Sequence, residues 1–104
     1  MYDVVIIGGG VIGCSIARAL SRYDLKISLL ERSTDVSDGT SKANSAIVHS
    51  GHSAEPGSLM AQFNIRGNML FEDLCRQLDV PFKRNGSLNV AYADDEVPKI
   101  AKLY

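Results

Sequence analysis

Three glycines at positions 8, 10 and 13, followed by an acid at position 31, have the spacing in this chain that points most directly to chemistry. In a Gly-x-Gly-x-x-Gly segment the first glycine permits a tight turn. The second lets the backbone approach a pyrophosphate, and the third lets the next helix pack closely on the preceding strand. A phosphate then sits at a helix N-terminus, where unpaired N–H groups and the helix dipole favour negative charge. Glu31 lies 18 residues beyond Gly13, about where a dinucleotide fold places the acid that binds ribose hydroxyls. The same carboxylate would repel a ribose 2′-phosphate, which disfavours NADP and leaves NAD or FAD.

Further along, Thr40-Ser41 and Asn44-Ser45 offer hydroxyl and amide groups near such a phosphate site, and Ala46-Ile47-Val48 delivers His49. Taken singly, these hydroxyls are ordinary turn formers. An imidazole can take a proton from a substrate hydroxyl near neutral pH, so His49 and, with a weaker claim, His52 on the same loop are the candidate bases.

The elements needed to position these groups are visible as patterns. Val4 to Ile7 is a continuous apolar run, as in a parallel strand covered on both faces. Ile12, Ile16, Ala19, Leu20 and Tyr23 recur at helical spacing, and Lys26 to Leu30 reads as a second strand ending at Glu31. The expected fold class is therefore α/β, the N-terminal part of a Rossmann-like dinucleotide-binding domain built on a βαβ unit. Residues 32–57 are polar and rich in Ser, Thr, Gly and Asp, a long loop of the kind that is usually functional or disordered.

A helix follows from Ser58, its expected cap, to Leu78, with Met60, Phe63, Leu70 and Leu74 on one face. Gly67 interrupts it, which calls for close packing on another element to offset a cost of roughly 1 kcal/mol. Val80-Pro81 ends the helix. After the Asn85-Gly86 turn, Leu88, Val90 and Tyr92 alternate with smaller residues, the period of a half-buried strand. That alternation predicts an antiparallel strand of a second, substrate-binding domain, with a boundary placing residues 1–80 in the first domain and 81–104 in the second. A last helix is expected from Asp94 to the end of the chain. With two strands placed and this helix uncapped, the chain reads as the N-terminal piece of a longer protein, and uncovered apolar faces predict self-association of the piece alone.

Composition narrows the function classes. A formal net charge of −1 carries no basic excess, which argues against nucleic acid as a partner. The first apolar run is cut by glycines far short of a membrane span, and Met1-Tyr2-Asp3 lacks a basic leader, so a cytoplasmic location is expected, with any membrane association through a partner. Cys14 and Cys75 fit neither a redox pair nor a metal-ligand spacing and read as reduced, buried small side chains.

The stretches DVVIIGGGVIG and ISLLER resemble the FAD-binding start of the flavoprotein oxidoreductases related to D-amino acid oxidase. The stretches TSKANSAIVHSGHSAEPGSLMAQFNIRGN and LDVPFKRNGSLNVAY are more specific. They are similar to the glycerol-3-phosphate dehydrogenases and oxidases and to the L-2-hydroxyglutarate dehydrogenases and oxidases. The resemblance implies that Gly8, Gly10, Val11, Ile12 and Gly13 cradle the FAD pyrophosphate and that Glu31 holds the adenosine ribose. It implies that Thr40, Ser41, Ser45, Ala46 and Ile47 line the diphosphate and the flavin side, with Ala46 standing where the motif often has glycine. His49 matches the histidine taken as the base in the glycerol-3-phosphate oxidases, and in more distant relatives a histidine of this region carries a covalent flavin. The implied activity is oxidation of a small anionic hydroxy substrate, glycerol 3-phosphate first and a 2-hydroxy acid second. The implied electron acceptors are oxygen, a quinone or an iron–sulfur partner.

Overall fold

The computed structural model describes residues 1–102, and its first three elements are β1 (Val4–Ile7), α1 (Val11–Leu20) and β2 (Ile27–Leu30). The strands run parallel, as a helical crossover requires, in a register that pairs Val4 with Ile27 and Ile7 with Leu30. Hydrogen bonds bracket the pair at both ends. The Asp3 N–H donates to the Lys26 carbonyl at 2.9 Å while the Lys26 N–H donates to Asp3 Oδ2 at 2.8 Å, and the Gly8 N–H donates to the Leu30 carbonyl at 2.8 Å. The βαβ reading is therefore met.

Only one face of the sheet is covered. Ile6 is 8% exposed, whereas Ile7, pointing the other way by strand alternation, is 87% exposed. The continuous apolar run predicts burial on both sides, but a single helix can shield one face, and the compact unit that spans Met1–Ile47 contains no other helix.

The second compact unit begins at Val48. Its main element is α2 (Leu59–Gln77), capped as expected by Ser58, whose Oγ accepts from the Ala61 N–H at 3.1 Å. The helix closes with Asp79 in the left-handed region (φ 54°) and the Val80 N–H donating to the Cys75 carbonyl at 2.9 Å, so the chain turns out of the helix one residue before Pro81. Cys75 is buried, whereas Cys14 on α1 is half-buried with its Sγ 3.3 Å from the Gly9 carbonyl; both are free thiols. A 3₁₀ turn at Asp94–Glu96 leads into α3 (Val97–Ala101); the expected continuation through Leu103 and Tyr104 lies outside the described residues.

Two expectations are corrected here. No strand forms over Leu88, Val90 and Tyr92, and Leu88 and Tyr92 are 93% and 92% exposed. Strand alternation becomes structure only when a partner supplies the ladder hydrogen bonds, and among the described residues β1 and β2 pair only with each other. Nor is Gly67 crowded: a Cβ there would meet no atom within 4 Å.

Candidate functional site

The glycine turn between β1 and α1 does what its spacing asks. Gly8 takes φ 101°, a conformation that side chains rarely adopt, and this swings the chain out of the strand. A Cβ on Gly13 would lie 1.9 Å from the Gly8 carbonyl oxygen, so only glycine lets α1 begin this close to the strand. At Gly10 an added Cβ would come within 3.1 Å of Ser41 Oγ. The Cys14 N–H reaches back to the Gly10 carbonyl at 2.9 Å, which leaves the N–H groups of Val11, Ile12 and Gly13 without intrahelical acceptors. Ser41 Oγ accepts from the Val11 N–H at 2.8 Å.

Glu31, at the end of β2, closes the turn from the other side. Its Oε2 accepts from the Gly9 N–H at 2.6 Å and its Oε1 from the Ser33 N–H at 2.9 Å. These bonds, the one from Ser33 first, hold the carboxyl below its ordinary value of 4.5 and keep it ionised. Each oxygen has a second lone pair, so the carboxylate can still accept from hydroxyl donors such as those of a ribose. Because the pKa is lowered on folding, the stability this carboxylate contributes is complete above the ordinary glutamate value and is lost as pH falls through the lower folded value. Glu31→Gln should therefore flatten the acid limb of the stability curve below about pH 4.5, a difference readable in urea melts across that range. An unchanged limb would show that these bonds do not survive in solution.

The long polar loop is fastened to this turn. The Ser37 N–H donates to the Gly9 carbonyl at 2.8 Å, with Ser37 itself at φ 64°. Asn44 holds the next stretch from both ends of its amide: Nδ2 donates to the Ser41 carbonyl, and Oδ1 accepts from the Ala46 N–H at 2.7 Å. Ala46 adopts φ 54°, the left-handed backbone expected of the glycine that often occupies this position. Gly8, Gly10, Val11, Ile12, Gly13, Glu31 and Ser41 are thus gathered around one turn. Thr40, Ser45, Ala46 and Ile47 lie exposed on the loop that continues from it. His49 belongs to the second compact unit, where it is exposed and its carbonyl accepts from Asn68 Nδ2 at 2.9 Å. His52 is exposed there too, its Nδ1 2.6 Å from Ser50 Oγ.

Two residues that the glycine pattern leaves unassigned shape this turn and its loop. Gly9 offers its N–H to Glu31, and its missing side chain makes room for Val36 Cγ1, which a Cβ would approach to 3.1 Å. Asn44, whose amide the sequence offers to a phosphate, uses both ends of it to set the loop that carries Ser41, in keeping with the turn propensity of asparagine. Backbone donors at the start of α1, a turn without side chains and an ionised acid at the end of β2 fit the pyrophosphate and ribose of a dinucleotide. Among the described residues there is no cluster of metal ligands, and no helix is long and apolar enough to cross a membrane.

Comparison with known proteins agrees with this geometry. Over all 104 residues the chain is 57% identical to a glycerol 3-phosphate dehydrogenase of Caloramator mitchellensis, of which it covers 22%. It is 37% identical over 105 aligned positions to a mitochondrial L-2-hydroxyglutarate dehydrogenase of Caenorhabditis briggsae, covering 99% of this chain and 24% of that protein. A dithionite-reduced, FAD-bound L-α-glycerophosphate oxidase from Mycoplasma pneumoniae superposes with a TM-score of 0.68 at 42% identity, over 73% of this chain and 20% of the oxidase. The chain thus spans about a fifth to a quarter of the length of these relatives. Residues 3–104 match the DAO family model, described as FAD dependent oxidoreductase, and the chain belongs to that family.

Proposed function

We propose that this chain is the FAD-binding N-terminal part of an enzyme that oxidises glycerol 3-phosphate to the corresponding ketone. The observation that carries the substrate class is the 57% identity to a glycerol 3-phosphate dehydrogenase along the whole chain. Gly8, Gly10, Val11, Ile12 and Gly13 would hold the pyrophosphate, and Glu31 the adenosine ribose. Thr40, Ser41, Ser45, Ala46 and Ile47 would line the diphosphate and the flavin edge. When bound, FAD supplies a hydride acceptor and passes the electrons on to oxygen, a quinone or an iron–sulfur partner. The His49 imidazole takes the hydroxyl proton as hydride leaves the same carbon, so the alcohol becomes a ketone without charge accumulating on its oxygen.

The L-2-hydroxyglutarate dehydrogenases, at 37% identity, support oxidation of a 2-hydroxy acid as the second reading. Both substrates present a secondary alcohol near an anionic group. Adding each separately to the anaerobic full-length flavoprotein and following bleaching of the flavin band distinguishes them. Bleaching by glycerol 3-phosphate is expected; bleaching by L-2-hydroxyglutarate alone would overturn the first reading. Glu31→Ala should also weaken flavin retention, seen as a lower flavin-to-protein absorbance ratio after dialysis. Full retention would remove Glu31 from the ribose site.

A further inference from the structure

His49 sits in a loop that is pinned to α2 at two points. Its carbonyl accepts from Asn68 Nδ2 at 2.9 Å. Two residues on, Gly51 takes φ 100° and lies so close to α2 that an added Cβ would stand 2.8 Å from Ile65 Cγ1. Asn68 is in turn held from its other side. Arg84 donates from one terminal nitrogen to Asn68 Oδ1 at 2.9 Å and from the other to the Asn68 carbonyl at 3.2 Å, while its Nε donates to Glu72 Oε2 at 3.0 Å. Its guanidinium lies 5.5 Å from the centre of the Phe82 ring, and Phe82 packs at 5.6 Å on Phe71 of α2.

The chemistry of the three partners fixes the direction of this chain of bonds. A guanidinium can only donate and a backbone carbonyl can only accept, so the group between them must present an acceptor on one side and a donor on the other. A side-chain amide does this. Arg84 draws the oxygen of Asn68 toward itself, which turns the amide nitrogen toward His49. The arginine–glutamate pair is exposed and contributes little as a charge pair. The specificity lies in the planar fork, which meets three acceptors at once and which a lysine cannot reproduce.

We propose that Asn68 and Arg84 are positioning residues for the oxidation, holding the His49 backbone so that its imidazole meets the substrate hydroxyl. This rests on the reading of His49 as the base. The test uses the flavin-loaded full-length enzyme and the rate constant of anaerobic flavin reduction at saturating glycerol 3-phosphate. Asn68→Asp keeps the partner of Arg84 but cannot donate to the His49 carbonyl. Since displacements of about 1 Å can cost on the order of 100-fold, it should slow reduction by roughly 10- to 100-fold with flavin content unchanged. Arg84→Lys should slow it by a smaller factor, and it serves as the second variant if Asn68→Asp does not accumulate in soluble form. In a His49→Ala background Asn68→Asp should have almost no further effect, because the group it positions is already gone. A parental rate in both single variants overturns the proposal, as does an equal loss with and without His49, which would mark Asn68 as generally structural. If His49→Ala itself reduces flavin at the parental rate, the assignment of the base fails first and takes this role with it, a result distinct from the other two.

Discussion

Gly13→Ala should destabilise the protein and strip it of FAD together. The new Cβ would stand 1.9 Å from the Gly8 carbonyl oxygen and 3.4 Å from Ile6 Cγ2, so the clash is with backbone at the end of β1 and no rotamer change relieves it. Overpacking of a well-packed contact typically costs about 1–3 kcal/mol, and an immovable backbone partner puts this case at the upper end or beyond. Relief requires α1 to move away from the strand, which carries the N–H groups of Val11, Ile12 and Gly13 out of the place where they converge. Gly10→Ala is the informative contrast. Its Cβ would meet only Ser41 Oγ, at 3.1 Å, and a side chain on a loop can give way. That variant should melt near the parent yet hold FAD poorly, since its methyl group occupies space that a pyrophosphate needs. Thermal melts by circular dichroism and flavin-to-protein absorbance ratios on full-length protein check both. A Gly13→Ala protein with the parental melting temperature and stoichiometric flavin would mean that the helix is not held to the strand as described.

His49→Ala should leave FAD in place and slow its reduction by substrate by roughly 10²–10⁴-fold, the usual contribution of a positioned general base. The residue is exposed and its backbone carbonyl accepts the Asn68 hydrogen bond, which the alanine variant retains, so folding should be little affected. Stopped-flow measurement under anaerobic conditions isolates the reductive step from reoxidation by the electron acceptor. Bleaching at nearly the parental rate would place the base elsewhere. Loss of a flavin that survives acid precipitation in the parent would point to a covalent bond at this residue.

The difference between what could be read in the sequence and what could not follows the range of the forces involved. Gly8 and Gly13 are legible because their requirements are local and absolute: a positive φ in one case, the absence of a Cβ in the other. Ser58 and Val80-Pro81 bounded α2 for the same reason, since caps and proline sterics act within a turn of helix. Asn68 and Arg84 carry no such local mark. Each acts through hydrogen bonds whose partners are chosen by the fold, up to 19 residues away for Asn68 and His49. Leu88, Val90 and Tyr92 show the opposite failure, a clear strand period without a neighbouring strand to realise it. Gly67 looked like a packing glycine, yet nothing approaches it.

The Glu31 bond to Gly9 also bears on how the chain finds its fold. β1 and β2 pair residues 23 positions apart, as Val4 does with Ile27, so the sheet closes only after the intervening helix has folded back. A slip of one residue during that closure would turn the side chains of β2 to the opposite face and carry Glu31 away from the Gly9 N–H. Two four-residue strands have few ladder bonds with which to reject such a slip. The acid suited to the ribose therefore acts as a check on register, and a chain that bound the nucleotide while still folding would be selecting its own correctly aligned sheet.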